Sequence, residues 1–404
     1  MPVFYNFTQD GLTYSFDDIF VPADAFREGN LWIWGRNDNT SAQRLGNNIS
    51  VTVDISTPIT TFAGGTNWKQ VSCGYGHVVA IKTDGTLWTW GGGGQGQLGI
   101  GAFGNRSTPV TTFTGGTNWK QVSCGADHVA AIKTDGTLWT WGRGNNGELG
   151  TGGFNNNSDR PVTVFGSVTN WRQVSCGYQY TSAIKTDGTL WTWGNCANGK
   201  LGNGLTSLSV NISTPVTTFA GGNNWKEVSL GSKVASAIKT DGTLWTWGYG
   251  LFNGQLGNGG TSNVSTPITT FAGGTNWKQV SQGQFHVSAI KTDGTLWTWG
   301  VGSGADLGNA TLNGSSTPIT TFAGGTNWKQ VSGGRRGSIA IKTDGTLWVW
   351  GLGNNAVLGN GQISGTVSTP ITTFAGGTNW KQCAGGGGSG GIINAALTYI
   401  DPVI

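Results

Sequence analysis

Charge is what this chain has least of. Lys, Arg, Asp and Glu together make up 10% of its 404 residues, against about 25% in an average globular protein. Helices with solvated faces need such side chains, so the shortage argues against a helical fold. Basic residues number 23 and acidic residues 19, a formal net charge of +4, and no block of Lys or Arg occurs. A dedicated nucleic-acid binder builds its affinity from clustered phosphate contacts, so nucleic acid is not favoured as a partner. No apolar run approaches the roughly 18 residues of a membrane-crossing helix, and no membrane span is expected. The opening "MPVFYNFTQDGLTYSFDD" has neither a basic start nor an apolar core, so no secretory signal is expected. Five cysteines, an odd number without CxxC spacing, read as reduced, buried thiols.

Glycine and tryptophan are abundant instead, with 72 and 21 copies. The Trp residues are ordered. One series falls in "NWKQVS"-like stretches at Trp68, Trp119, Trp171, Trp225, Trp277, Trp328 and Trp380, spaced 51 to 54 apart. A second opens an LWxW pair at Trp32, Trp88, Trp139, Trp191, Trp245, Trp297 and Trp348. Seven units with three Trp each account for all 21, and none is left over for a separate site. A buried Trp removes about 150–250 Å² from water, on the order of 4–6 kcal/mol at most.

Each unit reads as four short strands. "WKQVS" leads through a loop to "VVAIK", a "TDGT" turn and "TLWTW"; a long loop follows, then "TPITTF" and "AGGTN". Asp-Gly between alternating apolar residues signals a hairpin, because Gly accepts the positive φ of the turn. The Pro suits the beginning of an edge strand. Four strands per period of about 50 is the pattern of a propeller blade. The fold expected is all-β, a seven-bladed β-propeller of four-stranded antiparallel blades over 31–404. The first unit opens at "LWIWG" without a WKQVS strand, and the last stops after two strands. One blade is therefore expected to pair strands from both ends of the chain, leaving no open sheet edge.

Candidate chemistry is sparse. His77, His128 and His286 share one repeat position with Tyr180, Val234 and Gly337. A metal needs three or four convergent ligands, and a position that also takes Val reads as structural. Cys73, Cys124 and Cys176 correspond to Leu230, Gln282 and Gly333, so no Cys/His pair is singled out. The Lys and Asp of six KTDG turns, from Lys82/Asp84 to Lys342/Asp344, read as a solvated rim. No catalytic residue, metal site or cofactor site is assigned.

Differences between copies carry more. In a meander, successive loops alternate between the two faces of the ring. The KTDG turn and the FAGGTN connection then share one nearly constant face, and the other two loops share a variable one. Loops that vary on a fixed scaffold are where binding concentrates. The candidates on that face are Tyr75, Asp127, Arg143, Tyr178, Lys233, Phe285, Arg335 and Arg336.

The stretch "WKQVSCGADHVAAIKTDGTLWTWGRGNNGELGTG" resembles the regulator of chromosome condensation repeat family, with its G-x-x-H, DG-x-L-W-x-W-G and N-x-x-G-x-L-G. The resemblance covers about 31–400. It implies the seven-bladed propeller, but a wide range of functions: nucleotide exchange, chromatin binding, ligase subunits and interaction platforms. The near-identical copies and the leader "FDDIFVPADAFREGNLWIWG" resemble those of bacteriophage and environmental bacterial proteins. That resemblance implies a non-enzymatic virion protein, a capsid decoration or a tail- or fibre-associated propeller. It would be made in the host cytoplasm, with its oligomeric state set by the particle. Its partners would be other virion proteins and a host surface receptor. Residues 1–30 would be the docking segment, through Phe7, Tyr14, Phe16, Asp17, Asp18 and Phe20. The alternative is an intracellular regulator, a small-GTPase exchange factor or a chromatin-binding propeller; an enzyme ranks third.

Overall fold

The computed structural model describes residues 7–9, 12–14, 29–37, 44–48, 54–154, 156–206, 211–251, 254–386 and 393–399. Among them lie seven four-stranded antiparallel sheets and one short hairpin, Phe7–Gln9 with Leu12–Tyr14. Blade 1 runs Trp68–Cys73, His77–Lys82, Leu87–Gly91, Arg106–Thr111. Blades 2 to 6 repeat this order and begin at Trp119, Trp171, Trp225, Trp277 and Trp328. Blade 7 is composite: Trp380–Gly385 and Ile393–Thr398 pair with Leu31–Gly35 and Ile55–Thr60 from the other end of the chain. The first strand of each blade touches the first strands of both neighbours all the way round. These strands are innermost and enclose a central cavity of about 210 Å³. The expected architecture and its closure are both present.

The hairpin between the second and third strands shows why one line recurs. Gly85 donates to the Lys82 carbonyl and Lys82 to the Thr86 carbonyl, a three-residue loop with Gly85 at φ +78°. A side chain there would also strike the Thr117 carbonyl of the next connection. Asp84 Oδ1 accepts from the Thr86 amide at 2.9 Å and its hydroxyl at 2.6 Å. The same hydroxyl accepts from Trp88 Nε1 at 2.8 Å. Lys82 Nζ lies 4.8 Å from the Trp68 ring and 4.5 Å from the Trp88 ring, within cation–π range. Five further blades repeat this arrangement with their own Lys. The lysines are therefore not a solvated rim; each covers a pair of indoles. Their aspartates are exposed, as expected.

In most blades the three indoles tie down different loops, although Trp32 Nε1 and Trp90 Nε1 are buried without an acceptor. The first-strand Trp donates to the preceding Gly-rich connection, as from Trp119 Nε1 to the Gly115 carbonyl at 3.0 Å. The second Trp of the LWxW pair is fully buried and reaches the long loop of the preceding blade, as from Trp141 Nε1 to the Gln97 carbonyl at 3.0 Å. Within a blade the rings pack edge to face, with Trp119 6.1 Å from Trp141 and 6.3 Å from Trp139. Such pairs add about 0.5–1.5 kcal/mol beyond area burial.

Side chains of the innermost strands lace the blades together. At every seam one amide of the next innermost strand donates to the side chain at the WKQ position: Gln70, Gln121, Gln173, Glu227, Gln279, Gln330 or Gln382. Gln70, Gln121, Gln173 and Gln279 also return a bond to the carbonyl of the same residue. Two positions on, six serines accept a second amide across the seam. Ala384 stands in the serine's place where blade 7 meets blade 1.

Two expectations follow. Replacing Trp193 by Ala removes a fully buried indole and its bond to the Glu148 carbonyl; denaturant unfolding should show a loss of about 3–5 kcal/mol. Glu227 can return its sisters' bond only when protonated, and burial raises its pKa from 4.5 to about 7. The folded chain holds this proton more tightly than the unfolded one. Its contribution is complete below pH 4.5 and lost as pH rises through about 7. As pH rises from about 5 to 8, the urea midpoint of the parent should fall relative to that of the Glu227→Gln chain; parallel curves would refute the assignment.

Candidate functional site

Hydrogen bonds sort the loops onto two faces. On one, each KTDG turn meets a Gly-rich connection, as from the Thr83 amide to the Asn67 carbonyl at 2.9 Å. On the other, the first loops join one another and the starts of the long loops. Tyr75 donates to the Ala126 carbonyl at 3.1 Å, and Arg143 to the Asp127 carbonyl at 2.8 Å. The constant and variable loops therefore segregate as the meander requires.

The variable-face candidates divide by what they touch. Arg336 Nε donates to Asp306 Oδ1 at 3.1 Å and Nη2 to Ser303 Oγ at 3.0 Å. Asp306 is fully buried, and its other oxygen accepts from the Gly304 amide. Arg143 sits 3.9 Å from the buried Glu148 and 4.0 Å from Asp127. Burial raises the pKa of both acids, and the Arg143 charge opposes that rise. Arg143 thus ties the first loop of blade 2 to that blade's own long loop, and Arg336 clamps the first loop of blade 6 onto the long loop of blade 5. Lys233 lies 4.6 Å from the Tyr249 ring. Tyr178 lines the central cavity, half-buried. Tyr75 and Phe285 are half-buried in first loops, with the Arg336 guanidinium 6.0 Å from the Phe285 ring.

Arg335 differs from both clamps. Among the described residues it has no counter-ion, whereas Arg143 and Arg336 do; its Nε, like that of Arg143, is buried without a hydrogen bond. It lines a pocket of about 140 Å³ between blades 6 and 7, with Gly334, Gly337, Ser338, Asn355 and Asn394. Gly337 stands where other blades place His, Tyr, Val or Ile, which leaves this seam open. An uncompensated guanidinium beside amide and hydroxyl groups suits a carboxylate.

The histidines belong to those seams. All three are buried, in blades 1, 2 and 5. His128 Nε2 lies 2.9 Å from Thr181 Oγ1, whose proton goes to the Glu148 carbonyl, so the imidazole donates. His286 Nε2 lies 2.7 Å from Ser338 Oγ. All five cysteines are buried free thiols, and burial lifts those of Cys73 and Cys176 to about 12, far from the reactive range.

Residues 24–269 match the family described as the RCC1-like domain. The chain belongs to that family. Among similar proteins, the ultraviolet-B receptor UVR8 of Arabidopsis thaliana is 31% identical over 299 residues, 72% of this chain and 66% of that protein. The X-linked retinitis pigmentosa GTPase regulator homolog of Caenorhabditis elegans is 27% identical over 329 residues, 70% of this chain. The chain spans 66% and 23% of these two relatives' own lengths. Among solved structures, Prp20p of Saccharomyces cerevisiae aligns at TM-score 0.79 and 18% identity, covering 93% of both chains. Human WBSCR16 aligns at TM-score 0.76 and 20% identity, covering 91% of this chain and 99% of that one. These structures share the fold of this RCC1-like propeller.

Of the residues expected to dock, Phe7 and Tyr14 are paired across the short hairpin; Phe16, Asp17, Asp18 and Phe20 lie outside the described residues. Sequence reasoning passed over Lys200, only 4% exposed, whose ammonium burial lowers to about 8. It also passed over seven Phe, from Phe62 to Phe374, each more than half exposed just after an outermost strand; the recurring "TTF" was the signal.

The buried imidazoles set an acid limit. Burial lowers the pKa of His77 and His128 from 6.5 to about 3, so the unfolded chain binds their protons first. Stability is full above pH 6.5 and declines as pH falls toward 3. A His128→Gln chain should lose less stability between pH 6.5 and 4 than the parent in denaturant titrations.

Proposed function

We propose that this chain is a non-catalytic protein-binding platform whose variable face receives an acidic segment of a partner at the Arg335 pocket. The observation that carries the reading is the unpaired guanidinium beside an open seam, on a face whose other basic groups are tied to internal partners. Groups that repeat in every blade are consumed by packing, which leaves individual loops for recognition. The relatives agree in kind. The Saccharomyces cerevisiae protein is described by its binding to Gsp1p and histones, and yeast RCC1 (Prp20) is known in a structure with Kap60 bound. Receptor and regulator are the roles carried by the names of the plant and nematode relatives.

The virion setting rests on repeat style and leader alone. The relatives reported above are eukaryotic receptors, regulators and propellers, so binding to an intracellular partner is the reading carried forward.

A fluorescent glutamate-rich peptide provides the test, by anisotropy at low salt. The parent chain should bind in a salt-sensitive way, and Arg335→Glu should weaken binding tenfold or more, in line with about 1.5–3 kcal/mol for a charge-assisted contact. Lys278→Glu, an exposed side chain near the start of the innermost strand of blade 5, should leave it unchanged. Equal losses from both variants, or none from Arg335→Glu, would refute the site.

A further inference from the structure

In six blades the second strand ends in a lysine whose Nζ lies 4.1 to 5.1 Å from the centroids of two Trp rings. Blade 7 builds the same indole pair and omits the lysine. Thr398 faces Trp380 in the register that Lys342 holds opposite Trp328. The rings of Trp32 and Trp380 still meet edge to face at 6.1 Å. Over them lies a cavity of about 280 Å³, lined by Asn30, Trp32, Asn379, Trp380, Thr398 and Tyr399 among others.

A second departure coincides with the first. Asn30 occupies the position of the turn threonine, whose hydroxyl accepts the indole N–H in blades 1 to 6. Trp32 Nε1 is accordingly buried without an acceptor. Two demands that the chain meets for itself six times, a cation over the ring faces and an acceptor for the N–H, are both unmet at the same place among the described residues. Lys329 and Lys381 do not fill the gap: their Nζ atoms lie 5.5 Å from the Tyr399 ring, at the edge of the cavity.

We infer that the Trp32–Trp380 pair is a binding site for an alkylammonium group, an ammonium on an aliphatic stem such as a partner's lysine side chain presents. The internal lysines are the template: a four-carbon stem passes along the strand end and places its charge against both π faces. A ligand carrying a carbonyl near its stem would also satisfy Trp32 Nε1. This site is on the repetitive face and is independent of the Arg335 pocket.

The full chain should be titrated with n-butylammonium, with Nα-acetyl-lysine methylamide and with n-butanol, following the indole signals of Trp32 and Trp380 by NMR. Both amines should bind saturably and butanol should not. Tighter binding of the lysine derivative assigns the site to a partner's lysine; equal binding assigns it to free amines, and either result upholds it. Thr398→Lys, which copies the other six blades, should weaken both amines at least tenfold. Asn30→Thr should weaken the lysine derivative more than butylammonium, and it keeps the test open if the first variant folds poorly. Absence of saturable binding, equal binding of butanol, or undiminished binding by a folded Thr398→Lys chain would overturn the inference.

Discussion

Closing seven sheets into a ring requires seven seams to form at once from one kind of strand. Here the seam is made where an innermost side chain meets the backbone of the next blade. Each Gln, or Glu227 in one case, accepts an amide across the gap, and six serines accept another. Because the partner atoms are main-chain, every blade can offer the same acceptor and donor whatever its loops contain. Buried polar groups left unpaired in such seams would cost on the order of 1–3 kcal/mol each. That cost is common to all seven positions, so one solution is written seven times.

The same economy extends outward. In blade 2 the three indoles hold the blade's own hairpin, the connection that leads into it and the long loop of the blade before it. The lysine over the indole pair adds an electrostatic contact that needs no partner outside the blade. Once these demands are met, little chemistry remains for a ligand at the repeated positions. What remains free are departures: Arg335 beside Gly337 on the variable face, and Thr398 with Asn30 at the composite blade. Both lie on blade 7 or its seam with blade 6, where the two ends of the chain meet and the pattern is least regular.

Much of this was legible from the residues. Trp spacing set the blade count, the Asp-Gly turns set the strand boundaries, and "LWIWG" without a preceding WKQVS strand announced the composite blade. The role of the KTDG lysines was not legible, because it depends on Lys82 standing opposite Trp68 across one strand pair and beside Trp88 across another. Nor was the role of WKQ, whose partners are backbone atoms and leave no mark in a side-chain pattern. Arg143 and Arg336 looked like surface charges; their ion pairs with Glu148 and Asp306 join residues brought together by loop packing. The individuality of Arg335 could be read only once Gly337 was seen to leave its seam open. The place where repetition fails was visible as a KTDG count of six against seven blades, and its meaning required the cavity.

The central claim is that repeated residues hold the ring and that departures from the repeat are free to bind. Its most direct test is the thermal unfolding of a chain in which two departures are returned to the repeat, Asn30→Thr and Thr398→Lys. If the departures serve binding rather than folding, the reverted chain should melt at or above the temperature of the parent at pH 8. A melting temperature clearly below the parent's would contradict the account.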